Sequence, residues 1–138
     1  MQQLITSIFN YTAGSVSVLF GLVYLFRVRF LPYHEDALNK DWKDVTPAFQ
    51  VLILALMRAV GGGAAASGFS IIILQYYHHT NSGSHWIPVV ILINGLLISC
   101  GSLYAMLLVR LKTSGRPPIW AIAVSVLLLF AGYFTSMR

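Results

Sequence analysis

The chain of 138 residues is 57% hydrophobic and only 9% charged, whereas soluble domains carry about 25% charged residues. This small number of charged residues cannot cover the surface of a water-soluble protein. The composition therefore excludes a soluble globular protein and places apolar residues against lipid. The net charge of +5 comes from basic residues scattered at the ends of apolar runs. This scatter excludes the continuous basic face of a nucleic-acid-binding protein and favours membrane lipids as partners.

Four stretches are long and apolar enough to cross a bilayer, which requires about 20 residues of helix. They cover residues 4–27, 47–77, 86–110 and 118–135. Pro47, Pro88 and Pro118 mark the starts of the last three, because proline fits the first helical turn. The sequence predicts an all-α, integral membrane four-helix bundle that forms a single transmembrane domain over residues 1–138.

The distribution of Lys and Arg between the loops predicts the orientation of the chain. The first and third loops are basic, and they contain Arg27, Arg29, Lys40 and Lys43, and Arg110, Lys112 and Arg116, respectively. On the opposite side of the membrane Arg138 is the only Lys or Arg. Because cytoplasmic loops collect basic residues, we expect both basic loops to be cytoplasmic and both chain ends to be outside, N-out and C-out.

The long loop between the first two spans contains all four acidic residues, Glu35, Asp36, Asp41 and Asp44. Within it, residues 33–42 are predicted to form a short interfacial helix. Leu38 and Trp42 are spaced four residues apart and would face the membrane from one side of that helix.

Small residues line one face of several spans. The first span has Asn10, Gly14, Ser17, Gly21 and Tyr24 at helical spacing, and the second has Gly61, Ala64, Ala65 and Gly68. Such faces allow close packing of helices in lipid. The same pattern would also serve a homo-oligomer or a larger membrane complex, and the sequence does not separate these alternatives.

Arg58 is the most informative polar residue because it lies about three turns into the second span. An arginine at membrane depth costs about 2.5–3.5 kcal/mol, so it usually has a partner. We expect Arg58 to point away from lipid tails and to contact Glu35, Asp36 or a lipid phosphate. A snorkelling arginine with a purely structural role is the alternative to a ligand-binding one.

The histidines form no recognised catalytic or metal motif. His34 and Glu35 are adjacent and point in different directions on a helix, so we do not assign them an acid–base role. His78, His79 and His85 have no recognised zinc spacing and no nearby Cys or carboxylate, so we expect a hydrated loop and no tight metal site. No catalytic residue, cofactor or metal ligand is therefore assigned.

Two segments resemble a family of small bacterial four-helix inner-membrane proteins of uncharacterised function. The shared residues are Phe-Leu-Pro-Tyr-His-Glu-Asp-Ala at 30–37, Trp42, and Leu-Ala-Leu-Met-Arg-Ala-Val-Gly-Gly-Gly at 54–63. The resemblance implies a four-helix layout in a bacterial inner membrane. Together with the orientation expected from the loop charges, this location makes the termini periplasmic. The resemblance implies no activity, substrate or catalytic residues.

These observations favour a non-enzymatic membrane protein that acts as an accessory subunit or binds a lipid-like, hydrophobic ligand. The candidate residues for binding a ligand or partner are His34, Glu35, Asp36, Arg58 and Asn94. The alternative is a small membrane enzyme or transporter with a polar pocket around Arg58, His34 and Glu35.

Overall fold

The computed structural model describes residues 2–81 and 84–137, and the described residues form helices joined by short loops. The helices are α1 (Gln2–Phe26), α2 (Pro32–Leu38), α3 (Pro47–Thr80), α4 (Ile87–Lys112) and α5 (Ile119–Ser136), with a 3₁₀ turn at Trp42–Asp44. Helices α1, α3, α4 and α5 are long and apolar enough to cross a membrane. The predicted all-α bundle of four spans is confirmed, and each predicted span ends within about three residues of its helix.

Each long helix packs against two neighbours. Helix α1 lies against α3 and α5, and α4 lies against the other sides of the same two helices. The order around the bundle is therefore α3, α1, α5, α4. Helix α1 packs most extensively against α3, although α2 and the 3₁₀ turn separate them in sequence.

The contact between α1 and α3 is a backbone contact made at glycines. A Cβ atom added to Gly21 would lie 2.6 Å from the Gly61 carbonyl oxygen, and one added to Gly68 would lie 2.6 Å from the Gly14 carbonyl oxygen. Between these two points, the Ser17 hydroxyl donates a 2.8 Å hydrogen bond to the Ala64 carbonyl. The small-residue faces of these two spans therefore pack against each other within one chain.

A buried layer of polar side chains ties the other half of the bundle together. Asn10 Nδ2 donates a 2.7 Å hydrogen bond to Gln75 Oε1, and Gln75 Nε2 donates a 3.1 Å bond to Ser7 Oγ. Nearby, Thr6 Oγ1 donates to Thr135 Oγ1 at 2.9 Å, which joins α1 to α5. Polar groups are costly to bury in an apolar bundle unless they are paired, so this layer favours one alignment of the three helices.

The long helices do not end at the same level near α2. Helix α1 ends at Phe26, five residues after Gly21 meets Gly61, so the first turns of α3 extend beyond it. Helix α5 begins ten residues before Leu129, which packs on Gly95, so the last turns of α4 also extend beyond α5. With 34 residues, α3 is about 51 Å long, against a hydrocarbon core of about 30 Å. Helix α2 covers the space that this stagger leaves.

We expect Gly61→Ala to destabilise the bundle, because its new Cβ would lie 2.7 Å from the Gly21 carbonyl oxygen and 2.8 Å from Tyr24 Cβ. Overpacking of this kind costs about 1–3 kcal/mol. Thermal unfolding in detergent measures the effect. Gly62→Ala is the matched control, since its Cβ would meet no atom within 4 Å. Equal unfolding temperatures for the two variants would contradict the glycine contact.

Candidate functional site

A cavity of about 450 Å³ lies beneath α2, between the staggered ends of the long helices. Its walls come from the last turns of α1, the first half of α3 and the second half of α4, with α2 as its cover. Most of the lining is apolar and includes Phe20, Leu38, Ile53, Met57, Met106 and Val109. The volume falls within the range of about 300–1,000 Å³ that is typical of small-molecule sites.

The cavity opens sideways between α3 and α4. Of the lining residues that are also exposed on the outside of the bundle, four lie within α3 and α4: Phe49, Leu56, Val60 and Ala105. All four are apolar and belong to helices long and apolar enough to span a membrane. The opening therefore faces the region that lipid chains would occupy.

Helix α2 is held over the cavity by an aromatic anchor and by the loop before α5. The side chain of Phe30 is 1% exposed and packs with Tyr24, Val45 and Met57. The Trp42 ring lies edge-on to Phe30, with 4.7 Å between ring centroids. On its other side, α2 accepts a hydrogen bond from the Ser114 hydroxyl at the Asp36 carbonyl. These contacts hold α2 in place. Its seven residues are too few to form a stable helix without them.

The polar groups of the cavity gather below α2. The hydroxyls of Tyr24 and Tyr33 form a short hydrogen bond with each other. His34 lies one residue further along α2, with its ring centroid 4.1 Å from that of Tyr33. Its Nδ1 accepts a 3.2 Å hydrogen bond from the Leu31 backbone N–H, which is otherwise unpaired at the start of the helix. A neutral His34 therefore carries its proton on Nε2 and acts there as a donor.

These groups are uncharged at neutral pH. Burial lowers the pKa of His34 below its ordinary value, because it disfavours the imidazolium form. Burial also raises the pKa of Tyr33, and the adjacent Tyr24 hydroxyl raises it further. No Lys, Arg, Asp or Glu of the described chain lines this cavity. The site is thus an apolar chamber with a few neutral hydrogen-bonding groups at one end.

The structure brings only one of the residues predicted to bind a ligand into the cavity. His34 lines it, whereas Glu35 and Asp36, on the same short helix, do not. Arg58 is exposed and does not line the cavity, although Met57 beside it does. Successive helical residues point about 100° apart, so the row that faces the cavity excludes Arg58.

The expected ion pair of Arg58 with Glu35 or Asp36 is not present among the described residues, where the Arg58 side chain is exposed and lies outside the cavity lining. Arg58 lies about three turns into α3, as the sequence predicts. It lies one turn before Gly61, at the level where α1 ends. The helix turns that precede it extend beyond the neighbouring helix, so they do not measure depth in a membrane.

Asn94 lies on α4, away from the cavity. Its Oδ1 accepts a 3.0 Å hydrogen bond from Ser67 Oγ, and its Nδ2 donates a 3.4 Å bond to the Ser67 carbonyl oxygen. Both polar atoms of the side chain are therefore used to join α4 to α3. A shallow open groove runs beside this pair along Gly63, Ala66 and Ser70.

His78 and His79 lie in the last turn of α3 and His85 lies just before α4, so the three histidines are at the other end of the bundle. Within residues 2–81 and 84–137, no group of three or more His, Cys, Asp or Glu side chains is arranged to hold a metal ion.

The tyrosine pair is the feature of the site that sequence reasoning missed. Tyr24 belongs to the small and polar stripe of the first span, and Tyr33 precedes the histidine already singled out. Neither position shows that the chain turns back after Phe26 and brings the two hydroxyls together. The only signal was a tyrosine at the end of a stripe that otherwise consists of small and amide residues.

Comparisons with protein-family models, with curated proteins and with solved structures find no match to this chain. The resemblance in residues 30–63 therefore adds no function to the site, and the functional argument depends on the geometry of the cavity.

We expect acid to destabilise the protein partly through His34. Its folded pKa is lowered, so below the ordinary histidine pKa of about 6.5 the unfolded state takes up the proton first. The stability from a neutral His34 is present above that pH and is lost as pH falls.

Thermal unfolding at pH values of about 7.5 and 5.5 measures this loss, with His34→Asn as the comparison, because an amide oxygen can still accept the Leu31 N–H. The variant should lose less stability over this range than the original chain. An equal loss in both proteins would assign the pH dependence to other groups.

Proposed function

We propose that this chain is a non-enzymatic integral membrane protein that binds a lipid-like ligand in the cavity beneath α2. The observation that carries this proposal is an apolar chamber of about 450 Å³ with neutral polar groups at one end and a sideways opening between two membrane-type helices. Apolar walls with a few placed polar groups are the usual composition of a site for a hydrophobic small molecule.

The sideways opening favours a ligand that reaches the cavity from the membrane. Leu56, Val60 and Ala105 border this opening with apolar surface, so a lipid chain could pass from the bilayer without crossing water. A water-soluble substrate would lose its hydration at these walls and would regain few hydrogen bonds inside. The cavity therefore suits a chain of CH₂ groups better than a sugar, nucleotide or ion.

The arrangement of His34 supports binding over catalysis. A neutral imidazole has one nitrogen that accepts a proton, and in His34 that nitrogen, Nδ1, already accepts the Leu31 N–H. The side chain is thus used to start α2 and to present a donor. We place the ligand at His34, Tyr24 and Tyr33, and not at the polar pocket around Arg58 and Glu35 that was the alternative.

We further propose that the protein lies in a bacterial inner membrane with both chain ends periplasmic, so that α2 lies on the cytoplasmic side. The Lys and Arg asymmetry of the loops supports this orientation. Arg58 lies at the level where α1 ends and Arg27 follows, which would place both guanidinium groups near anionic lipid phosphates. An exposed arginine at that depth can reach the headgroups by snorkelling.

We expect Ala105→Phe to reduce the lipid that co-purifies with the protein by about tenfold, because the added ring would occupy the cavity beside Met106. The matched control is Ala123→Phe, an exposed alanine of α5 that does not line the cavity. Mass spectrometry of gently purified protein measures bound lipid per chain. Equal lipid content in both variants would remove the cavity as the binding site.

The orientation predicts which loop positions react with a membrane-impermeant thiol reagent in intact cells. In a Cys100→Ser background, Asn81→Cys should be labelled, because its loop would be periplasmic. Ser114→Cys should be labelled only after the cells are broken. Both positions are exposed, so access to the reagent depends on the side of the membrane. The reverse pattern would invert the orientation and leave the four spans unchanged.

A further inference from the structure

The polar end of the cavity offers hydrogen-bond donors. When Tyr24 and Tyr33 hydrogen-bond to each other, one hydroxyl proton is used and the other remains free to donate to a third group. The Nε2–H of neutral His34 is a second donor on the same helix as Tyr33. Both donors belong to residues that line the cavity. A ligand group that accepts hydrogen bonds would therefore be recognised here.

The same end offers no positive charge. The described cavity lining contains no Lys or Arg, and the exposed Arg58 lies outside it. A phosphate or carboxylate moved into this site would lose its hydration without gaining a cationic partner, which is costly in an apolar environment. The lining therefore discriminates against anionic headgroups.

The cavity also has a direction. Its polar end lies beneath α2, and its deep end is formed by Phe20 and Ser102. These two residues also line a second void of about 70 Å³ at the centre of the bundle. An amphiphile bound with its polar group under α2 would thus place its apolar chain along the bundle axis, towards Phe20.

We infer that the ligand is an uncharged amphiphile, with a carbonyl or hydroxyl acceptor held by the free hydroxyl proton of the Tyr24–Tyr33 pair and by His34 Nε2–H, and an apolar chain that extends towards Phe20. This inference rests on the proposed function, since it specifies the chemistry of the lipid that the cavity binds. Glycerol esters, quinone-type rings and long-chain alcohols share this chemistry. Phospholipids and ionised fatty acids do not.

Two probes that share one oleoyl chain test the inference: monooleoylglycerol, and the lysophosphatidic acid that adds only a phosphate. Native mass spectrometry of delipidated, full-length protein in a nonionic detergent measures the affinity for each probe. We expect monooleoylglycerol to bind at least tenfold more tightly. The test is stringent, because the net charge of +5 would attract the anionic probe to the protein surface.

Substitution of one donor tests where the polar group lies. The double variant Tyr24→Phe/Tyr33→Phe removes the hydroxyl proton that is free to donate, whichever ring carries it, and should weaken monooleoylglycerol binding about fivefold, the usual effect of one lost neutral hydrogen bond. Tyr104→Phe removes a hydroxyl from an exposed tyrosine outside the cavity and should change nothing. Equal effects of the double variant and of Tyr104→Phe would overturn the assignment of the donors.

The experiment tests lipid binding separately from the preference for an uncharged ligand. Equal or tighter binding of the lysophosphatidic acid at the cavity, blocked by Ala105→Phe, would overturn the uncharged ligand and leave lipid binding in place. Failure of both probes to bind stoichiometrically would overturn the lipid-binding function and the inference with it.

Discussion

The close approach of α1 and α3 is the constraint on which the rest of the structure depends. Where Gly21 meets Gly61 and Gly14 meets Gly68, the two backbones come so near that a single added methyl group would collide with a carbonyl oxygen. In lipid, helices gain little from hiding apolar surface from each other, so close packing must provide the attraction. This contact also sets how far α3 extends past the end of α1, and hence where a cavity can form.

Because the helices differ in length and are staggered, a chamber forms beneath α2. Helices of equal length would close on each other at both ends and leave only packing defects such as the 70 Å³ central void. Here α3 and α4 continue past α1 and α5, and the gap between them is covered by α2, which Phe30 and Trp42 anchor. The cover carries two of the polar groups, Tyr33 and His34, and α1 carries the third, Tyr24.

The architecture could be predicted from the sequence, whereas the site could be predicted only in part. Four long apolar runs and three prolines at helix starts were enough to predict the bundle, because an apolar segment in lipid has few alternatives to the α-helix. His34, a candidate ligand-binding residue from the sequence, lines the cavity, and its binding of a ligand stays a prediction. Arg58 lies about three turns into its helix, as predicted, but the row of α3 that faces the cavity excludes it, which the sequence alone did not show. The Tyr24–Tyr33 pair depends on a chain reversal that no local pattern specifies.

In the proposed function, the separation of charge from hydrogen bonding would give the α2 end of the molecule its selectivity. Arg58 lies outside the cavity, where it can meet headgroups, whereas the cavity itself contains neutral donors. His34 remains neutral for two reasons. Its Nδ1 accepts a hydrogen bond from the Leu31 N–H, and burial lowers the pKa of its imidazole, so it does not become a cation at neutral pH. Anionic lipids would be attracted to the outer surface and excluded from the interior. An uncharged amphiphile has the opposite preference, and the two classes would occupy different parts of the same end of the bundle.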